Sequence, residues 1–254
     1  MSEPDLISSN EPPVVLITGA ARRIGASLAR HFHAAGYRVL LHYRGSATEA
    51  AALAGALNQE LPGSANILQA DLANEGEPER LAKEAVAVWQ RLDLLINNAS
   101  SFFPTPFGST DRSQWQALIG SNLSGPFFLC QALADELTRR QGAIINLVDV
   151  HSERGLKGYA AYSIAKAGTA MMTKVLAKEL APKVRVNGIS PGPILPPEGP
   201  AARDPESQQL VLDSTLLGRF GAPADIAATA LFLARQSYVT GQIIAVDGGK
   251  NLYP

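Results

Sequence analysis

Residues 14–25 read VVLITGAARRIG. A run of aliphatic residues ends at Thr18 and Gly19, and from Ile24 the segment IGASLARHFHAAG (24–36) places its apolar residues at helical spacing before closing on Gly36. This is a strand, a tight turn and a helix. A strand without polar alternation is buried on both faces, which belongs in a parallel sheet covered by helices. The pattern recurs along the chain. RVLLHY (38–43) leads to a helix over 47–60, ANILQADL (65–72) to one over 77–90, LDLLINNA (92–99) to one around 112–137, and AIINLVD (143–149) to one around 160–180. RVNGISPG (185–192) and QIIAVDGG (242–249) complete the strands. The expected fold is α/β: a single-domain Rossmann fold, a doubly wound parallel sheet of about seven strands with helices on both faces. Ligands should bind at the carboxyl ends of the strands.

Neither an internal repeat nor an interdomain linker interrupts this alternation, so 13–254 is expected to be one dinucleotide-binding and catalytic domain behind a flexible leader, 1–12. The Pro-rich SPGPILPPEGPAARDPES (190–207) follows a strand end, and is expected to form a substrate flap around 193–215. Composition narrows the function. Of 254 residues, 46% are hydrophobic, enough for a sizeable core, and 22 basic against 23 acidic side chains leave a formal charge of -1. No basic run could follow a phosphate backbone, so nucleic acid is not an expected partner. Cys130 is the single cysteine and the start of the chain lacks a secretion signal, which points to the cytoplasm. Charged and small residues break every long apolar run, so no membrane span is expected. His31 and His33 diverge on a helix and are no metal site.

The turn after the first strand suits a nucleotide. Gly19 and Gly25 let the backbone approach a pyrophosphate, with Arg22, Arg23 and Ile24 between them. Arginine lacks glycine's backbone freedom, but Arg23 can offer a planar fork to an anion or a polar ring, its alternative being a solvent-facing side chain. At the end of the second strand, His42, Tyr43, Arg44 and Ser46 stand where a carboxylate would accept ribose hydroxyls. Arg22, Arg44 and Ser46, with His42 as a further candidate, are cationic or hydroxyl donors, which favours a 2′-phosphate and hence NADPH. Asp71 and Leu72 suit an adenine contact, with helix capping the alternative for Asp71. Asn97, Asn98 and Ala99 suit the adenosine ribose and backbone.

At the other end, Tyr162 and Lys166 share one helix face, which places an ammonium near a phenol and should lower the phenol's pKa from its ordinary value near 10. Asn122, in GSNLSGPF (120–127), is expected mid-helix, its side chain holding a water relay to Lys166 or satisfied locally. These motifs resemble the short-chain dehydrogenase/reductase family from Val14 to Gly249. TGAARRIG (18–25) follows the family's T-G-x-x-x-G-x-G except for Arg23, and SYVTGQIIAVDGG (237–249) is also family-like. The resemblance implies hydride transfer from a nicotinamide, with Tyr162 as proton donor, Lys166 as the ribose-binding residue that lowers its pKa, and Asn122 as the water-holding member. Pro191 and Gly192 resemble the turn beside the nicotinamide amide, and a homotetramer is the family expectation.

One departure redirects the chemistry. Asp149 stands where the family carries a serine, and Ser152 is offset from that position. An ionised carboxylate cannot donate a hydrogen bond to a carbonyl oxygen, but it suits N–H donors or a ring nitrogen that gains a proton as hydride reaches the neighbouring carbon. TGAARRIG (18–25), LLHYRGSATEAAALAGALN (40–58), NNASSFFPTP (97–106) and NLVD (146–149) before GYAAYSIAK (158–166) together resemble the pteridine reductase branch. That implies NADPH-dependent reduction of ring C=N bonds in pterins such as biopterin and dihydrobiopterin, extending to folate and dihydrofolate. Asp149 and Tyr162 would deliver the proton, Phe102 would stack the pterin, and Ser100 and Arg23 would hydrogen-bond pterin and cofactor phosphates; core packing is the alternative for Phe102. Competing functions are a general carbonyl or alcohol oxidoreductase and a non-catalytic NADP-sensing protein.

Overall fold

The computed structural model describes residues 11–196, 202 and 204–252. Seven strands, β1 (Val14–Ile17), β2 (Arg38–Tyr43), β3 (Ala65–Gln69), β4 (Leu94–Asn97), β5 (Ala143–Leu147), β6 (Arg185–Pro191) and β7 (Ile243–Val246), form one sheet. Every pairing is parallel, in the order β3-β2-β1-β4-β5-β6-β7. The chain winds outward in both directions from β1 and β4, which opens a crevice above their carboxyl ends.

Alternate side chains of each strand enter opposite layers. Val15, Ile17, Val39, Leu41 and Ile145 pack under α1 (Arg23–Ala34), α2 (Ala47–Glu60) and α9 (Pro223–Arg235). Val14, Leu16, Leu40, Leu95 and Ile144 face α3 (Glu77–Trp89), α5 (Gly125–Arg140) and α7 (Ala160–Glu179). α4 (Arg112–Ile119), α6 (His151–Arg154) and α8 (Pro205–Asp213) complete the α-helices among the described residues. The sequence pattern did not announce α6, α8 or α9. α8 lies inside the expected flap, of which 197–201 and 203 fall outside the described residues, as do residues 1–10 of the expected leader.

The helix expected around 112–137 is interrupted. Gly120–Ser124 forms a π turn between α4 and α5. Pro126, four residues after Asn122, has no N–H to give the Asn122 carbonyl, and the Gly125 N–H reaches back to Gly120 O instead. Gly125 is itself required, since a Cβ there would lie 2.4 Å from Leu72 O. By length and composition alone the helical run Arg112–Arg140 could cross a membrane, yet it is a core helix, in keeping with the absence of a span expected above. Here it packs into the protein, with Leu118, Leu129, Leu133 and Leu137 buried.

Candidate active site

A cavity of about 430 Å³ opens at the carboxyl ends of β1 to β4. Around it stand the residues expected to hold the nucleotide: Gly19, Arg22, Arg23, Ile24, Gly25, His42, Tyr43, Arg44, Ser46, Asp71, Leu72, Asn98, Ala99 and Ser100. The close approach is real. A Cβ on Gly25 would lie 2.1 Å from Gly19 O, and Gly19 adopts φ +63° with Ala99 Cα 2.9 Å from where its Cβ would be. Thr18 Oγ1 accepts from the N–H groups of Asn98 and Ala99, both at 2.9 Å, and Asn98 Nδ2 donates to Thr18 O and Gly19 O. These bonds pin the β1 and β4 loops together. α1 begins at this wall with no side chain capping its first N–H groups. An uncapped helix start beside a glycine cradle fits the pyrophosphate of a dinucleotide, because the first-turn N–H groups have no partner within the helix.

A second cavity, of about 560 Å³, adjoins the first and shares Arg23, Ile24 and Ser100 with it. Phe102, Asp149, Tyr162, Pro191 and Gly192 also line it. Here Tyr162 OH donates to Asp149 Oδ2 at 2.7 Å, while Asp149 Oδ1 accepts from the His151 N–H at 2.8 Å. The carboxylate is thus oriented by the start of α6 and aimed at the phenol. Asn122 and Lys166 line neither cavity and are only 2% and 4% exposed.

Several sequence expectations change in this geometry. The phenol's pKa is not lowered overall: burial first, then the Asp149 charge and hydrogen bond, hold Tyr162 well above its ordinary value against the lowering hydrogen bond with Ser100. Lys166 Nζ instead donates to Leu147 O at 2.8 Å, and burial lowers its pKa to about 8 against the opposing pull of Asp149. The Asn122 side chain does not reach toward Lys166. Its Oδ1 accepts from Ser100 Oγ at 2.6 Å and its Nδ2 donates to Ser101 O and Leu118 O. His42 is not a cationic donor to a phosphate. Gly19 N donates to its Nδ1, its Nε2 meets Ala70 O, and burial depresses its pKa to about 4. Asn97 turns into the core, where its Nδ2 donates to Asn146 Oδ1 and Cys130 Sγ. Asp71 caps no helix: its Oδ1 accepts from Ala73 N in a local turn, and Gly76 is the N-cap of α3.

Two further residues differ in detail. Arg23 adopts the left-handed conformation that the missing glycine would supply, with φ +54°, and its Nη2 donates to Pro196 O at 2.8 Å. Phe102 lies parallel to Tyr159, with ring centroids 4.6 Å apart, and edge-on to Tyr162. One of its faces is therefore already stacked. Leu195, Gln208 and Val211 lie in the flap expected around 193–215 and Tyr159 in GYAAYSIAK, none of them singled out, while Leu156, Phe220 and Lys250 went unread although they line the second cavity. They come from segments distant in sequence and carry no motif.

The family profile described as "Enoyl-(Acyl carrier protein) reductase" matches residues 19–251. The chain is 36% identical to pteridine reductase 1 of Leishmania tarentolae, over 97% of this chain and 99% of that protein. It is equally 36% identical to 3beta-hydroxysteroid dehydrogenase 1 of Eggerthella lenta, over 94% of each. With the 3-oxoacyl-[acyl-carrier-protein] reductase of a Synechocystis strain the identity is again 36%, over 94% of this chain and 97% of that protein.

Proposed function

The chain belongs to the short-chain dehydrogenase/reductase family of NAD(P)-dependent oxidoreductases, and from that premise we propose that it is an NADPH-dependent pteridine reductase. Its substrates are biopterin and dihydrobiopterin, with folate and dihydrofolate as further candidates. The observation that carries this reading is the Asp149 carboxylate, 2.7 Å from Tyr162 OH inside the substrate cavity.

Charge separates the two chemistries. A carbonyl reduction builds negative charge on oxygen, and a carboxylate at that point repels it. A ring C=N reduction builds a basic nitrogen that takes up a proton, and a pterin presents N–H groups that a carboxylate accepts. NADPH, when bound, would supply the hydride. Burial and then Asp149 hold the Tyr162 pKa above its ordinary value, which favours the protonated phenol as a donor to a stronger base. The nitrogen that has just received an electron pair is such a base. Asp149, already sharing a hydrogen bond with the phenol, then passes a proton back to it from solvent. Arg22, Arg44 and Ser46 around the first cavity offer cationic and hydroxyl donors to a 2′-phosphate, which favours NADPH over NADH. We read the assembly as a cytoplasmic homotetramer, in keeping with the apolar side chains that α5 and α7 leave exposed.

The test is NADPH oxidation with biopterin, dihydrobiopterin, dihydrofolate and a panel of ketones, steroids and 3-oxoacyl thioesters, each repeated with NADH. Turnover of pterins with NADPH, and not of carbonyls, is the expected result. Turnover of carbonyls alone would overturn the reading.

A further inference from the structure

We propose that Thr169 is a positioning residue for this site: its hydroxyl holds the main-chain carbonyl of Asn122 and thereby sets the π turn from which Asn122 grips Ser100 at the junction of the two cavities. The inference rests on the reading of Tyr162 and its surroundings as the reacting site.

The need for such a residue arises in the local sequence. In a regular α-helix the Asn122 carbonyl would accept from the N–H four residues on, but that residue is Pro126. Thr169 Oγ1, on the facing helix α7, lies 2.8 Å from this oxygen. The bland alternative is the usual threonine bond to its own helix, and Ala165 O is indeed 3.0 Å away. A hydroxyl has one hydrogen, and two oxygens do not settle 2.8 Å apart without one between them. The Asn122 carbonyl is thus one of two acceptors for this hydroxyl, and the shorter contact of the two. Thr169 and Asn122 are each 2% exposed, so the contact is buried.

The contact is held from beneath. Thr173 Oγ1 donates to Thr169 O, Asn146 Nδ2 to Thr173 Oγ1, and Asn97 Nδ2 to Asn146 Oδ1, all at 2.9 Å. This buried chain ties the middle of α7 to β4 and β5. Above it, Asn122 Oδ1 receives the Ser100 hydroxyl and Asn122 Nδ2 holds Ser101 O. Thr169 is thus a second link, beside the Thr18 bonds, between the sheet and the loop wall that both cavities share. A displacement of that wall by about 1 Å is enough to cost up to about a hundredfold in rate.

Thr169→Val removes the hydroxyl at nearly constant shape, Thr169→Ser keeps it, and Pro126→Ala returns an N–H that would draw the Asn122 carbonyl away from Thr169. Each is compared with the parent chain by NADPH oxidation with dihydrobiopterin, or with the carbonyl substrate if the panel selects one. Thermal midpoints and hydrogen exchange of residues 120–125 are measured alongside. Expected are a kcat lowered about tenfold or more in Thr169→Val with little change in KM for NADPH, faster exchange in the π turn, and near-parent values in Thr169→Ser. Pro126→Ala should lower kcat without lowering the midpoint, and it decides the matter if Thr169→Val does not fold. Parent-like kcat in Thr169→Val, or in Pro126→Ala when that variant decides, overturns the inference, even if exchange quickens, since the bond would then serve only the fold. Tyr162→Phe separates the two readings: if it keeps full turnover, the site assignment fails and the inference fails with it.

Discussion

Asp149 illustrates how one side chain redirects a site without disturbing its frame. Its two oxygens are engaged by the His151 N–H and by Tyr162 OH, so replacement by serine loses a charge and an orientation together. Asp149→Ser should reduce pterin turnover by at least about a hundredfold while the KM for NADPH moves less than about threefold, as expected for a contact made in the transition state. Equal loss of both would mean a structural role. His42 supports a prediction in pH. Its folded pKa, about 4, lies below its ordinary 6.5. The unfolded chain therefore binds the proton first, and the stability contributed by neutral His42 is complete above pH 6.5 and lost as pH falls toward 4. The depression corresponds to about 3 kcal/mol at most. Urea unfolding of the parent and of His42→Gln between pH 7 and 4.5 should show a smaller acid loss in the variant; identical slopes would exclude His42 as the source.

The start of α1 shows an element shaped against local preference. Arg23 is held at φ +54°, a conformation that costs a side-chain-bearing residue about 1 kcal/mol or more. What it gains is position: the guanidinium lines both cavities and reaches Pro196 O. Arg23→Gly should leave the thermal midpoint unchanged or raise stability by up to about 1 kcal/mol, while raising the KM for both NADPH and pterin several-fold. A lowered midpoint with unchanged Michaelis constants would reverse that assignment. The π turn is the second such element. There a proline inside an otherwise helical pattern reshapes one turn, and the freed carbonyl finds its donor on another helix.

At the scale of the molecule, the sheet holds loops from seven strands rigid at one edge while some helix faces stay unsatisfied. Ile164, Met171 and Val175 are 51%, 59% and 44% exposed along α7, and Phe127 and Phe128 are 40% and 43% exposed on α5. Such a face is covered by another copy if the chain assembles as proposed. Met171→Glu combined with Phe128→Glu should shift the parent's assembly to smaller species in sedimentation velocity; a parent that sediments as a monomer refutes the assembly.

The sequence by itself determined the strand and helix alternation, because burial on both faces of a parallel sheet demands unbroken apolar runs such as VVLI and AIINL. It also determined which chemical groups meet at the strand ends, since Gly19, Gly25, Ser100, Phe102, Asp149 and Tyr162 sit at turns and helix starts whose position follows from that alternation. Only the tertiary structure decided how those groups are used. The direction of the Tyr162 shift depends on burial and on the Asp149 distance, neither of which a spacing of four residues contains. Likewise, Asn122 and His42 appear as polar residues near a site, yet each is claimed by the scaffold, because a buried donor or acceptor takes the partner that folding brings to it. Lys166 and Thr169 share a helix face in sequence, but that one bonds Leu147 O and the other Asn122 O is a consequence of how α7 packs against β5 and the π turn.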